Sequence, residues 1–174
     1  MKTRELCIVA VMAALLCILA PLSVPIGPIP ISLATFAIYL AGGLLGWKRA
    51  LAATAVYILL GAVGVPVFAG FTGGAQKLLG VTGGYIVGYL PLAAIVGLSA
   101  ERGKSRLSLP LGMVLGTAVL YAIGTAWFMI AMGRSLGAAL GACVLPFLPG
   151  DALKIAAACG LCWALRRRLA PLLA

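Results

Sequence analysis

Histidine is absent from this chain of 174 residues, and the acidic residues number three: Glu5, Glu101 and Asp151. The first absence removes the commonest acid–base and metal-ligating side chain. The second leaves too few carboxylates for a two-metal site and no nucleophile–base pair, so an enzyme is not expected. Charge of either sign is scarce, at 9% of residues against 64% hydrophobic, whereas an ordinary soluble domain carries about 25% charged residues. A water-soluble core is excluded on that ground. The apolar runs are continuous rather than alternating, which excludes a transmembrane β-barrel. What is left is an all-α polytopic membrane protein, one domain over residues 1–174, with room for about six spanning helices.

Other classes fall in turn. The five cysteines, Cys7, Cys17, Cys143, Cys159 and Cys162, are odd in number and lie in or beside apolar runs. A disulfide framework is therefore not expected. Cys159-Gly-Leu-Cys162 has C-x-x-C spacing without the strand–helix context of a redox motif, and reads as small apolar residues in a membrane helix. The segment Gly97-Leu-Ser-Ala-Glu-Arg-Gly103-Lys104-Ser105 has one residue too many between its glycines for a phosphate-binding P-loop. It is a basic turn between helices, and the chain is not expected to hydrolyse ATP. The net charge of +10 would suggest nucleic acid in a soluble protein; here the basic residues fall in short segments between apolar runs.

The expected spans are residues 4–22, 31–47, 50–64, 83–100, 108–132 and 147–167. The first follows Lys2 and Arg4 as a signal peptide would, but no A-x-A site follows it, so it reads as a span. Pro21, Pro25, Pro28 and Pro30 end it and hold an extended connection. Residues 65–82 form the longest expected loop, rich in glycine and aromatic residues. Six spans put Lys2, Arg4, Lys48, Arg49, Arg102, Lys104, Arg106, Arg166, Arg167 and Arg168 on one side and only Lys77 and Arg134 on the other. The side with more Lys and Arg is cytoplasmic. Both termini are expected there, and the 65–82 loop faces outward.

Small residues recur at four-residue spacing in Gly42/Gly46, Gly84/Gly88, Gly112/Gly116, Gly133/Gly137/Gly141 and Ala10/Ala14. That spacing lets membrane helices approach closely. It serves either packing inside the bundle or docking of another membrane protein; Ala10/Ala14 is the best docking candidate.

Two charged residues lie well inside an apolar segment away from the cytoplasmic boundary: Asp151 and Lys154. A spacing of three puts them on one helix face. An intramembrane charge costs several kcal/mol unless it is paired or faces a polar cavity. They form either a structural ion pair or the polar floor of a solute pocket beneath the outward loop.

Three segments, Gly64-Val-Pro-Val-Phe-Ala-Gly-Phe-Thr-Gly-Gly74, Gly80-Val-Thr-Gly-Gly-Tyr85 with Gly88, and Pro146-Phe-Leu-Pro-Gly-Asp-Ala-Leu-Lys154, together resemble the BioY family. These are the biotin-specific S components of energy-coupling factor (ECF) transporters, multi-pass proteins of bacterial or archaeal cell membranes. The resemblance implies a membrane-embedded biotin binder without a cofactor. It would work with a transmembrane coupling protein and two cytoplasmic ATPase subunits, toppling in the membrane to carry the vitamin inward. It also implies that Ala10 and Ala14 contact the coupling protein, and that Asp151 and Lys154 line the biotin site. Biotin has an apolar bicyclic body, a ureido group and a carboxylate tail. Asp151 is the expected acceptor for the ureido N–H groups, and Lys154 a donor to the ureido oxygen or the carboxylate. Phe68, Phe71 and Tyr85 are expected to pack on the rings, with Gly73 and Gly74 permitting close backbone approach. Where family members often read Pro-Ile-Thr-Leu-Gln-Thr, this chain has Pro30-Ile-Ser-Leu-Ala34-Thr35, without the glutamine. Gly-Pro-Thr-Gly-Gly-Tyr is likewise Gly80-Val-Thr-Gly-Gly-Tyr85. An S component for another vitamin or a biotin precursor, and a structural membrane protein, are the alternatives.

Overall fold

The computed structural model describes residues 3–25, 29–103 and 105–173, with side chains as far as residue 166. Lys2, Pro28 and Lys104, and the side chains of Arg167 and Arg168, lie outside the described residues. In chain order the elements are α1 (Thr3–Leu19), β1 (Ser23–Val24), β2 (Ile31–Ser32), α2 (Ala34–Leu45), α3 (Trp47–Ala62), α4 (Ala75–Leu79), α5 (Gly83–Arg102), α6 (Ser108–Met132), α7 (Leu136–Cys143) and α8 (Leu148–Leu173). The six longer helices overlap the six expected spans. Two short ones, α4 and α7, lie where loops were expected.

Three helices are long and apolar enough to cross a bilayer by themselves: α5, α6 and the Leu148–Arg166 part of α8. The second expected span, 31–47, shrinks to a helix of 12 residues, well short of a hydrocarbon core of about 30 Å. The reason lies in its burial. From Ala34 to Leu45 nearly every residue of α2 is covered by neighbouring helices. The connection before it folds back as a two-stranded antiparallel ribbon pairing Ser23 with Ser32 and Val24 with Ile31. Non-helical backbone is tolerated at membrane depth where protein or a cavity shields it. By contrast Val11, Ile18, Leu115 and Ile130 are exposed apolar side chains on the outer helices, as a lipid-facing surface requires.

The glycine pairs divide by role. α5 and α6 share the most extensive helix contact, and small residues make it. A Cβ on Gly84 would lie 2.2 Å from that of Trp127, and one on Gly116 would lie 2.7 Å from Leu92 Cδ1. Gly133, Gly137 and Gly141 have nothing within 4 Å of such a Cβ, so they do not serve internal packing among the described residues.

One end of the bundle is polar. Arg49 pairs with Glu5 at 3.0 Å. The Trp47 N–H, at the start of α3, donates to Glu101 Oε1 at 3.2 Å. Arg166 donates through Nε to the Gly43 carbonyl at 2.7 Å and through Nη2 to the Ala100 carbonyl at 2.9 Å. The start of α1 and the end of the described part of α8 therefore share one end, as an even number of passes demands. Arg166 ties three helices together by capping carbonyls near the C-terminal ends of α2 and α5. Arg166→Met should lower stability by about 2 kcal/mol, the scale of lost hydrogen bonds from a charged donor. Thermal unfolding in detergent measures it.

Candidate functional site

At the opposite end, the start of α8 carries Asp151 and Lys154. Pro149 lies in the first turn, where its missing N–H breaks no helical bond. Asp151 follows it, favourably placed for an anion near a helix N-terminus. Its side chain is almost fully buried, at 6% exposure, and that of Lys154 is 11% exposed. Two charges so covered are tolerated only because each is satisfied.

The partners come from three helices and from β2. Asp151 Oδ1 accepts from Lys154 Nζ at 3.0 Å and from Thr35 Oγ1 at 3.4 Å. Oδ2 accepts from the Tyr121 hydroxyl at 2.5 Å, short as charge-assisted O–H···O bonds are. Lys154 also donates to the Ser32 carbonyl at 2.7 Å and to Thr35 Oγ1 at 3.2 Å. An ammonium has three protons, so Lys154 is fully committed. A carboxylate has about four acceptor positions, and these contacts occupy three of them. Asp151 can therefore take one more donor without breaking a bond, whereas Lys154 must release a partner to meet a ligand.

Two adjoining cavities open beside this cluster. The smaller, about 40 Å³, is lined by Thr35, Tyr121, Phe147, Asp151 and Lys154 among others. The larger, about 130 Å³, is walled by Tyr57, Phe68, Thr72, Lys77 and Thr82. Ile29, Pro30, Ser32, Tyr85 and Tyr89 border both. The site is thus elongated, with an ionic floor and aromatic walls.

The loop after α3 forms the outer wall. Phe68 and Thr72 exchange backbone hydrogen bonds, with Phe68 N to Thr72 O at 2.8 Å. The Phe68 ring stands edge-on to Tyr57, centroids 5.7 Å apart at 84°, and lies against Gly61, where a Cβ would come within 2.2 Å of it. The Gly70 N–H donates to the Pro21 carbonyl at 3.0 Å, and the Gly74 N–H to the Gly61 carbonyl at 2.7 Å. Trp127 on α6 donates to the Gly80 carbonyl at 2.9 Å. The loop is fastened at both ends and in the middle.

Of the residues singled out in the sequence, Asp151, Lys154, Phe68 and Tyr85 border the cavities. Phe71 does not; it has a positive φ of 56° and is 65% exposed. Gly73 and Gly74 shape the loop instead of lining its inner face: a Cβ on Gly73 would strike the Val65 carbonyl at 2.4 Å, and Gly74 has a φ of +99°. Ala10 and Ala14 are exposed on α1 and border neither cavity. Sequence reasoning missed Tyr121, Tyr89 and Tyr57. The available signal was a hydroxyl-bearing aromatic inside an apolar helix, where the hydroxyl needs a partner.

Comparison with known proteins bears on this geometry. A family profile described as "BioY family" matches residues 1–171. A probable biotin transporter BioY of Pyrococcus horikoshii is 42% identical over 158 residues, covering 91% of this chain and 93% of that one. A biotin transporter BioY of Thermotoga maritima is 37% identical over 155 residues, covering 89% and 91%. Among solved structures, the S-component for biotin from an ECF-type ABC transporter superposes with a TM-score of 0.87 at 30% identity, covering 95% of this chain and 92% of that one.

Proposed function

The chain belongs to the BioY family, and from that membership we propose that it is a membrane-embedded biotin-binding subunit for biotin uptake. It is a multi-pass transport subunit, not an enzyme, and is energised by a separate coupling protein and two ATPase subunits. The observation that carries the ligand assignment is the unfilled acceptor position on buried Asp151. The carboxylate is held by Lys154, Thr35 and Tyr121 at the floor of a cavity with aromatic walls.

The ureido group enters first and gives an N–H to Asp151, which needs no rearrangement of the cluster. Lys154 turns from one of its three acceptors to meet the ureido oxygen. Tyr57, Phe68, Tyr85 and Tyr89 bury the apolar bicycle, and each aromatic face contributes by apolar burial. Because the backbone of residues 64–74 is held by its own hydrogen bonds, the wall is preformed and little ordering entropy is lost on binding. Phe71, Gly73 and Gly74 contribute through the shape of that loop.

Ala10 and Ala14 are exposed on α1 beside Val11, a flat small-residue face suited to close helix packing. It supports docking of the coupling protein there. Equilibrium binding of radiolabelled biotin to detergent-purified chain tests the function. Saturable one-site binding is expected; its absence in folded protein would overturn the reading.

A further inference from the structure

We propose that Lys77 reads the ligand's carboxylate and sets the preference of this site for a free acid over its ester or amide; the proposal rests on the biotin reading above. The elongated cavity has two ends of different charge. The inner end is net neutral, and all three Lys154 protons are in use there. A ligand carboxylate beside Asp151 would meet a like charge in a covered site, which is strongly unfavourable. An anionic tail therefore belongs at the other end.

That end carries an unneutralised cation. Lys77 is the one charged residue lining the larger cavity, and it is half-buried there. The chain has three acidic residues, and each is engaged elsewhere: Glu5 with Arg49, Asp151 with Lys154, and Glu101 with the Trp47 N–H. Among the described residues Lys77 forms no ion pair. The other outward cation, Arg134, is exposed and borders neither cavity.

The backbone around Lys77 is held. Its N–H donates to the Gly74 carbonyl at 3.0 Å, and its carbonyl accepts from Thr82 Oγ1 at 3.4 Å. The Thr72 hydroxyl donates to the Ala69 carbonyl at 3.0 Å. Both threonine protons at this end are thus spent on the loop, and the ammonium supplies the charge-assisted donor for a carboxylate. Bound this way, biotin would lie with its ureido ring inward and its tail outward, neutralising Lys77 as it enters.

The test measures affinities of biotin, biotin methyl ester and biotinamide on wild-type protein, K77M and K77R, at low and high salt. Wild type is expected to bind the acid about tenfold more tightly than the neutral derivatives, the scale of one partly exposed charge-assisted bond. K77M should lose about tenfold for biotin, keep its affinity for the ester and lose the salt dependence; K77R should keep the preference. An acid-to-ester ratio that is near one in wild type, or unchanged in K77M, overturns the role of Lys77 alone. The wild-type comparison needs no variant to fold. Failure of wild type to bind all three compounds overturns the biotin reading and this proposal together.

Discussion

Asp151→Asn should weaken biotin binding about a hundredfold or more and at the same time destabilise the bundle. An asparagine is isosteric but puts an amide donor or a weaker neutral acceptor where Lys154, Thr35 and Tyr121 now converge as donors. Lys154 is then a buried cation without its counter-charge, a change that costs about 3–5 kcal/mol. Loss of the proposed charge-assisted bond to a ureido N–H would account for about 3 kcal/mol of binding, or two factors of ten. The two effects separate in the double variant Asp151→Asn with Lys154→Met. Removing the orphaned cation should recover much of the thermal stability and none of the biotin affinity. Unchanged affinity in folded Asp151→Asn would show that the cluster is purely structural. Radiolabelled biotin binding and thermal unfolding, on the same preparation, report both quantities.

Gly97→Ala should be strongly destabilising although it adds only a single methyl group. A Cβ there would stand 2.3 Å from Trp47 Cα and 2.4 Å from Trp47 N. Both neighbours are backbone atoms, so no rotamer change relieves the clash. The junction of α2 and α3 must move away from α5, and the Trp47 N–H contact with Glu101 goes with it. Overpacking of this kind costs about 3 kcal/mol. Gly137→Ala is the matched control: it lies in α7 with nothing within 4 Å of the added carbon. It should change stability by less than about 1 kcal/mol, in the stabilising direction of alanine's helix propensity. Thermal unfolding of the two variants in one detergent gives the comparison. Equal effects would mean that the close approach of Gly97 to the Trp47 backbone does not constrain the bundle.

The glycine result illustrates where sequence reasoning stops. Gly84/Gly88, Gly112/Gly116 and Gly133/Gly137/Gly141 share one spacing. The first two pairs sit against Trp127, Leu120, Ser99 and Leu92, while the third set faces open space. Spacing reports that a helix face is flat; what lies against it depends on helices placed elsewhere in the chain. The ionic cluster shows the same limit. Asp151 and Lys154 are three apart, so helical geometry alone joins them. Thr35 and Tyr121 are 116 and 30 residues from Asp151, and no local period links them. Phe71 shows the converse, an aromatic in the right segment whose backbone turns it to the outside.

Composition and the order of apolar runs determined that this chain is a helical membrane protein, because hydrocarbon admits little charge and demands internally satisfied backbone. The uneven distribution of Lys and Arg determined its expected direction, and two intramembrane charges marked the end where function would lie. Tertiary structure decided the rest. It wrapped a helix too short to span so that its backbone is shielded, and committed all three protons of Lys154 while leaving Asp151 an open position. It also set Lys77, an ordinary loop lysine by sequence, in a cavity wall where no acid among the described residues neutralises it. Burial and long-range hydrogen bonds are properties of helices meeting, and a one-dimensional pattern holds only one side of each meeting.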